Sequence, residues 1–278
     1  MDTDAISIQV RYALAEDIGS GDLTAALIPA DKQASATVIV REAAILCGQE
    51  WFNAVFRQLD NSLKIKWHKQ DGDKLLADQT ICQLQGNART LLTGERTALN
   101  FLQSLSATST LTRQYVDAVS GLKTRILDTR KTIPGLRLAQ KYAVSCGGGQ
   151  NHRIGLFDAI LIKENHIMAA GSLTEAVLTA RKQVTNDILI EVEVETLTQL
   201  QEALDAGVRR ILLDNMSVSM LQEAVQINKN IAALEASGGI TLENIRDIAS
   251  IGVDFISVGA LTKDIQATDY SMRIQVDM

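Results

Sequence analysis

The sequence predicts a mixed α/β protein in two parts: a small antiparallel sheet with helices, followed by a parallel α/β barrel. Three observations lead there. Short apolar runs ending in polar or small residues recur after residue 122, as RILDTR, AILIKENH, ILIEVEVE, RILLDN, AALEASGG and FISVGA. Taking Asp128, Lys163, Glu193, Asp214, Ser237 and Ser257 as their ends, the intervals are 35, 30, 21, 23 and 20 residues, the beat of strands alternating with helices in a parallel sheet. Before residue 122 the rhythm is different, with a half-buried alternation in LKIKWH, a DGD turn and a further strand in TICQLQG.

Taken in order, residues 4–17 read as an amphipathic helix with Ile8, Tyr12 and Leu14 or Ala15 on one side, stopped by Gly19 and Gly21. Asp22 and Thr24 order the loop that follows. SATVIVREAAILCG, residues 35–48, has the β-branched content of a strand or a bent strand pair, and EWFNAVFRQLD makes a short helix, with Trp51 and Trp67 core or interface residues of the first part. From Asn87 the chain is helical for a long way, and Gly94 and the Ser/Thr cluster at 104–112 are expected to divide that stretch into two or more helices. In the second part LTQLQEALDAG, SVSMLQEAVQI and TLENIRDIASIG have the length and period of covering helices. Six strands stand out, fewer than the eight of a complete barrel.

Composition narrows the function classes. Apolar residues make up 46% and aromatics only 4%, so the core is aliphatic. A net charge of -6 argues against a nucleic-acid partner. The first residues lack the positive charge and compact apolar run of a secretory signal, and no stretch approaches the roughly 20 apolar residues of a membrane span. Cys47, Cys82 and Cys146 are odd in number and widely spaced, which reads as reduced thiols in a cytoplasmic protein, with Cys146 a packed thiol. None of the three histidines has a metal-type spacing with a cysteine, which argues against a zinc site.

Against the acidic whole, residues 125–163 carry seven Lys or Arg and two Asp. Functional groups of such barrels sit at the C-terminal ends of the strands. Those ends here offer Arg130 and Lys131, then Lys163, Glu193 and Asp214, with Asn151, His152 and Arg153 between the first two. The last two ends, Ser237–Gly239 and the loop at Gly259, expose backbone N–H groups to an anion. Cations suit carboxylates and phosphates, and acids suit a divalent cation or sugar hydroxyls, so the set points to a phosphorylated sugar with Mg²⁺ and an anionic co-substrate. No serine or cysteine nucleophile with a paired base stands out, and no Walker-type loop or GxGxxG follows a strand. Glu191, Glu193 and Glu195 share one strand face, so some of them must lie beyond the barrel interior. Asp214 has the alternative role of capping the helix after its strand.

ERTALNFLQSLSATST (95–110), DTRKTIPGLR (128–137), KYAVSCGGGQNHRIGLFDAILIKENHI (141–167), IEVEVE (190–195), ILLDN (211–215), EASGGI (235–240) and SVGALT (257–262) resemble quinolinate phosphoribosyltransferase, in order and over nearly the whole chain, with EDIGSGDLT at the N-terminal end. The resemblance implies an N-terminal α/β sandwich, residues 1–112 with a tail from about 267 to 278 packed back on it, and an incomplete α/β barrel of TIM type with seven strands or so, residues 113–266. It implies transfer from 5-phosphoribosyl 1-pyrophosphate to quinolinate with decarboxylation, giving nicotinate mononucleotide, pyrophosphate and CO₂, with Mg²⁺, in a homodimer.

Residue by residue, the resemblance makes Arg130, His152 and Arg153 the quinolinate-binding cations and Arg96 the arginine lent by the neighbouring subunit. Lys131 and Lys163 lie near the phosphoribosyl pyrophosphate and the reacting ring, and Glu193 and Asp214 serve the ribose and the metal, directly or through the substrate. Ser237, Gly238, Gly239 and Gly259 hold the 5-phosphate. Lys131, Lys163, Glu193 and Asp214 form the catalytic set. Ile133 stands where a second threonine is common. The rival readings are a phosphoribosyltransferase for another aromatic acid and a non-catalytic relative associated with molybdenum transport; the intact Lys163, Glu164, Asn165 and His166 argue against the latter.

Overall fold

The computed structural model describes residues 3–185 and 188–276. Its elements begin α1 (Thr3–Ile18), a 3-10 turn (Ala25–Leu27), β1 (Gln33–Val40), β2 (Ala44–Ile45), α2 (Gln49–Leu59), β3 (Lys64–Trp67), β4 (Lys74–Leu75), β5 (Gln79–Asn87) and α3 (Ala88–Ala118). They continue with β6 (Arg125–Leu127), α4 (Arg137–Cys146), β7 (Ala159–Ile162), α5 (Glu164–Ala170), α6 (Leu173–Gln183), β8 (Leu189–Val194) and α7 (Leu197–Asp205). The last are β9 (Arg210–Asp214), α8 (Val218–Asn228), β10 (Ala233–Ser237), α9 (Ile245–Ser250), β11 (Phe255–Ser257), α10 (Ala260–Lys263) and β12 (Tyr270–Val276). Two compact units result, one of 1–113, 133–148 and 264–278, the other of 114–132 and 149–263. The segment carrying α4 thus groups with the first unit, although the strand rhythm around it belongs to the second.

In the first unit an antiparallel sheet runs β12-β1-β5-β3. Along β1 alternate side chains Ala34, Ala36, Val38 and Val40 are buried, which places one face on the core. Against them pack Trp51, Phe52 and Phe56 of α2 and Leu91, Leu99, Leu102 and Leu105 of α3. The buried Trp51 indole satisfies its N–H on Gln9 Oε1 at 2.7 Å. On α1 the buried stripe is Ile6, Val10 and Leu14, spaced by four; Ile8 and Tyr12, expected on the core side, are exposed.

The expected division of the stretch after Asn87 does not occur. It is a single helix of 31 residues, α3. Gly94 is in its interior because another element comes close: a Cβ there would meet Phe56 Cε1 at 2.6 Å. In the Ser/Thr cluster Ser106 and Ser109 are buried and bond outward rather than breaking the helix. Ser106 Oγ accepts from Cys47 N at 3.0 Å, Ser109 Oγ donates to Ile45 O at 2.8 Å, and Thr112 Oγ1 donates back to Thr108 O at 2.7 Å. Hydroxyls that local rules assign to a helix end here satisfy the backbone around β2.

The second unit is a six-stranded parallel sheet in the order β6-β11-β10-β9-β8-β7, a partial α/β barrel. All six sequence-predicted strands are present. At the β6 edge Gln150 forms an isolated parallel bridge to Leu127, donating to Ile126 O at 2.8 Å and accepting from Asp128 N at 3.1 Å, so a seventh position is represented by one residue. The covering helices start on side-chain caps, Ser172 for α6, Thr196 for α7 and Ser217 for α8.

Candidate active site

Period-two alternation on β8 turns Glu191 and Glu193 to one face, and the structure separates their roles. Glu191 is 1% exposed, and the neighbouring strands set Arg210 and Glu235 beside it. Arg210 Nε donates to Glu191 Oε1 at 3.2 Å and its Nη2 to Glu235 Oε2 at 2.6 Å, while its guanidinium carbon lies 3.6 Å from the centroid of the Phe255 ring. His152 Nε2 is 2.8 Å from Glu191 Oε2 and 3.7 Å from Glu235 Oε1. These last contacts are ion pairs without aligned hydrogen bonds.

The cluster shifts its members. Burial, reinforced by the charge of Glu191, pushes the Glu235 carboxyl up to about 7. For Glu191 burial acts in the same direction, but His152 and Arg210 overcome it and hold the carboxyl below its ordinary range. Burial opposes a charge on His152 as well; the two glutamates outweigh it and raise the imidazole. His152 Nδ1 accepts the Arg153 N–H at 2.8 Å, which leaves Nε2 to carry the proton toward Glu191. The backbone N–H of His152 donates to Asp128 Oδ1 at 2.9 Å, and that aspartate is fully buried at the end of β6.

Beside this frame stand two guanidinium groups. Arg153 Nη1 donates to Ala159 O at 3.1 Å, and burial together with the charge of Arg130 lowers its pKa. Arg130 Nε is buried with no hydrogen-bond partner among the described residues. Two like charges that act on one another, one with a buried donor lacking a partner among the described residues, suit an anion with several acceptor oxygens.

At the strand ends Lys163 forms an ion pair with Glu193 through Nζ and Oε2. His166 Nδ1 accepts the Lys163 N–H at 3.0 Å, so His166 braces the start of α5 and thereby the lysine's backbone. Asp214 is not a helix cap: Ser217 Oγ accepts from Met220 N and caps α8, whereas Asp214 Oδ2 accepts from Asn215 Nδ2 at 3.0 Å. Ser237 lies in register with Asp214 on the next strand, and Ser237 O accepts the Asn215 N–H at 2.9 Å.

Gly238, with φ +93°, leaves no room for a side chain, since a Cβ would sit 2.0 Å from Asn215 Oδ1. Gly259 is covered by Lys131, whose Cδ would lie 3.2 Å from a Cβ there, and Lys131 O accepts from Thr262 Oγ1 at 2.8 Å. The pairing of β6 with β11 brings Lys131 and the Gly259 loop together.

Lys163, Glu193, Asp214, Ser237 to Gly239 and Gly259 lie at strand ends and Arg130 and Lys131 just past β6, whereas His152 reaches Glu191 within β8 and Arg153 contacts Ala159 at the start of β7. Arg96 belongs to the first unit, exposed on α3 one turn from the exposed Asn100. The sequence reading missed Asp128, Arg210 and Glu235 and set Glu191 aside. Their only linear signal is a charge inside a run otherwise built for a buried strand. The donor atoms of His152, Glu191 and Glu235 lie within 4.8 Å of one another, but Arg210 already pairs with both carboxylates and His152 with Glu191.

The chain matches two family models, "Quinolinate phosphoribosyl transferase, N-terminal domain" over residues 22–106 and the corresponding C-terminal domain over 108–273. It is 42% identical over 265 residues to a Bacillus subtilis protein named probable nicotinate-nucleotide pyrophosphorylase [carboxylating], covering 95% of this chain and 92% of that one. An Arabidopsis thaliana chloroplastic nicotinate-nucleotide pyrophosphorylase [carboxylating] is 40% identical, over 97% of this chain and 82% of its own. The solved structure of the nicotinate-nucleotide pyrophosphorylase from Francisella tularensis superposes with a TM-score of 0.96 at 51% identity, covering 99% of this chain and 98% of that one. A human nicotinic acid phosphoribosyltransferase, 12% identical with a TM-score of 0.62 over 99% of this chain and 74% of its own, is similar in fold alone.

Proposed function

This chain belongs to the quinolinate phosphoribosyltransferase family, and on that premise we infer that it transfers a phosphoribosyl group from 5-phosphoribosyl 1-pyrophosphate to quinolinate with decarboxylation. The products are nicotinate mononucleotide, pyrophosphate and CO₂, a step of NAD biosynthesis. The observation that carries the substrate choice is the pair Arg130 and Arg153, whose charges act on one another, with a buried Arg130 Nε–H that has no hydrogen-bond partner among the described residues. Quinolinate is a dianion with adjacent carboxylates, and two guanidinium groups suit it better than they suit a monocarboxylate such as nicotinate.

On this reading the glycine loops at Ser237–Gly239 and Gly259 receive the 5-phosphate, and Lys131, lying over Gly259, adds charge to that end. The quinolinate nitrogen attacks C1 of the ribose as pyrophosphate departs. Positive charge building on the sugar is met by the carboxylates of Glu193 and Asp214, and negative charge on the leaving group by Lys163. Loss of CO₂ follows on the nucleotide, whose quaternised ring nitrogen stabilises the carbanion at the adjacent carbon. No dedicated general base is required, and none is assigned.

Mg²⁺ fits the acids at the strand ends. Glu193 and Asp214 are hard oxygen donors, and each already has a protein partner, Lys163 and Asn215 respectively. That set is too small to enclose Mg²⁺ by itself and suits an ion whose other ligands are phosphate oxygens and water. When bound, the ion neutralises charge on the departing pyrophosphate.

Arg96 is assigned to the partner's site in a homodimer. Leu23 and Leu27, 88% and 81% exposed, lie next to Asp22, which accepts from Thr93 Oγ1 at 2.8 Å three positions before Arg96 on α3, and such an apolar patch suits a subunit interface. The cytoplasm is the compartment that suits three free cysteines. Among the described residues no helix is long and apolar enough to cross a membrane.

The deciding assay is pyrophosphate release with 5-phosphoribosyl 1-pyrophosphate and Mg²⁺, comparing quinolinate with nicotinate. Turnover with quinolinate that stops on chelation is expected. Equal or greater turnover with nicotinate would overturn the substrate, and no turnover with either would overturn the reaction.

A further inference from the structure

Cys47 and Cys146 are 99 positions apart in sequence, yet their sulfurs and a carboxylate oxygen of Asp71 all lie within 4.8 Å of one another in the first unit. Both cysteines are free, and neither belongs to the chemistry assigned to the barrel. Cys47 is fully buried between β2 and α2, whereas Cys146, the last residue of α4, is partly exposed. Tyr142 O–H donates to Asp71 Oδ2 at 2.9 Å and the Gln49 N–H to Asp71 Oδ1 at 3.3 Å, so the carboxylate is oriented from two sides.

The same stretch of α3 anchors both thiols. Ser106 Oγ accepts from Cys47 N at 3.0 Å, and Gly147, directly after Cys146, sits so close that a Cβ would meet Ser109 O at 2.5 Å. We propose that Cys47 and Cys146 are a peroxide-sensitive thiol pair that closes to a reversible disulfide, with Cys146 the attacking sulfur and Cys47 the resolving one.

Exposure divides the roles, because only Cys146 reaches solvent. Its thiolate attacks one oxygen of hydrogen peroxide; the O–O bond breaks, leaving a sulfenic acid on Cys146 and a hydroxide that takes up the thiol proton as water. The Cys47 sulfur then attacks the Cys146 sulfur; the S–O bond breaks, the departing hydroxyl takes the Cys47 proton, and a second water leaves. In sum two thiols and one peroxide give one disulfide and two waters, with two electrons passing from sulfur to peroxide. The hydrogen bond that Cys47 offers lowers the Cys146 thiol, while burial keeps Cys47 protonated until it is needed.

The sulfurs must close to about 2 Å, and the turn after α4, where Gly148 has φ +92°, is a place for that adjustment. A zinc site is the weaker reading, because the cluster supplies three donors where structural zinc takes four.

The test is peroxide treatment of the full-length protein, followed by alkylation of remaining thiols and peptide mass spectrometry. The expected result is an intramolecular Cys47–Cys146 cross-link that a dithiol reductant reverses, with Cys82 still alkylated. Cys47→Ser should instead accumulate sulfenic acid at Cys146, trapped by dimedone, and Cys146→Ser should leave Cys47 reduced. Circular dichroism checks that each variant folds, and the wild-type cross-link stands as a readout if one does not. A cross-link through Cys82, sulfinic acid at Cys146 without a cross-link, or unmodified thiols would overturn the proposal, as would stoichiometric Zn²⁺ binding that shields both thiols.

Discussion

His152 Nε2 stands 2.8 Å from Glu191 Oε2 in the interior of the partial barrel, and Arg210 holds the other oxygen of the same carboxylate at 3.2 Å. Removing Glu191 deprives Arg210 and His152 of the carboxylate they share. Glu191→Ala is expected to destabilise the protein by about 3–5 kcal/mol, measured as a lower urea midpoint. Glu191→Gln keeps the shape and returns the His152 pKa toward its ordinary value, read from imidazole resonances. A raised folded pKa means that stability from His152 is complete below its unfolded pKa and lost as pH rises through the folded one, so the Gln variant loses stability chiefly on the acid side.

Glu235 predicts a pH dependence of its own. Its folded pKa is raised to about 7, so the folded state holds a proton that the unfolded state gives up near the ordinary glutamate value. The stabilisation is complete below the unfolded pKa and is lost as pH rises through about 7. Urea midpoints should therefore fall between about pH 4.5 and 7, and Glu235→Gln should flatten that slope. An unchanged slope in the variant would assign the dependence to another group.

Arg153→Ala is expected to raise KM for quinolinate by about tenfold to a hundredfold, the loss of one or two charge-assisted hydrogen bonds. Circular dichroism should match the parent, since only one backbone contact of the guanidinium, to Ala159 O, is given up. Normal quinolinate affinity in calorimetry would remove Arg153 from the carboxylate site.

Gly238→Ala and Gly239→Ala should differ. Both glycines have positive φ, but only at Gly238 does an added methyl meet an obstacle, Asn215 Oδ1 at 2.0 Å, while at Gly239 nothing lies within 4 Å. Backbone strain costs each variant about 1 kcal/mol or more. Gly238→Ala must in addition displace Asn215, the partner of Asp214, so it should show the larger rise in KM for 5-phosphoribosyl 1-pyrophosphate.

If Arg96 serves the neighbouring protomer, two inactive variants should complement each other. Arg96→Ala and Lys163→Ala, each expected to lose about a hundredfold or more in turnover, should recover activity when refolded together, because a mixed dimer contains one intact site. No recovery from a mixture shown to contain hybrid dimers would return Arg96 to its own protomer or to the surface.

Elements whose signal is local are legible in the chain. Six parallel strands were visible because each is a short apolar run closed by a polar residue, and the strand-end cations and acids followed from that phase. The same logic failed where one element's environment is another element. Gly94 and the hydroxyls of Ser106 and Ser109 carry helix-breaking signals, yet α3 runs through them because Phe56 needs the space and the backbone around β2 needs the hydrogen bonds. The helical period groups Ile8 and Tyr12 on one side of α1, but Ile6, Val10 and Leu14 are the residues that are buried.

Charge and sulfur pairing were decided by tertiary structure alone. Nothing in the linear spacing joins His152 to Glu191, Arg210 and Glu235, since the three strands β8, β9 and β10 must be laid side by side before their side chains meet. Nor does spacing join Cys47 to Cys146. Hydrophobic period and turn chemistry act over a few residues and are written in the chain, whereas ion pairs and thiol pairs depend on distances of a few ångströms between remote positions, which exist only once the chain has packed.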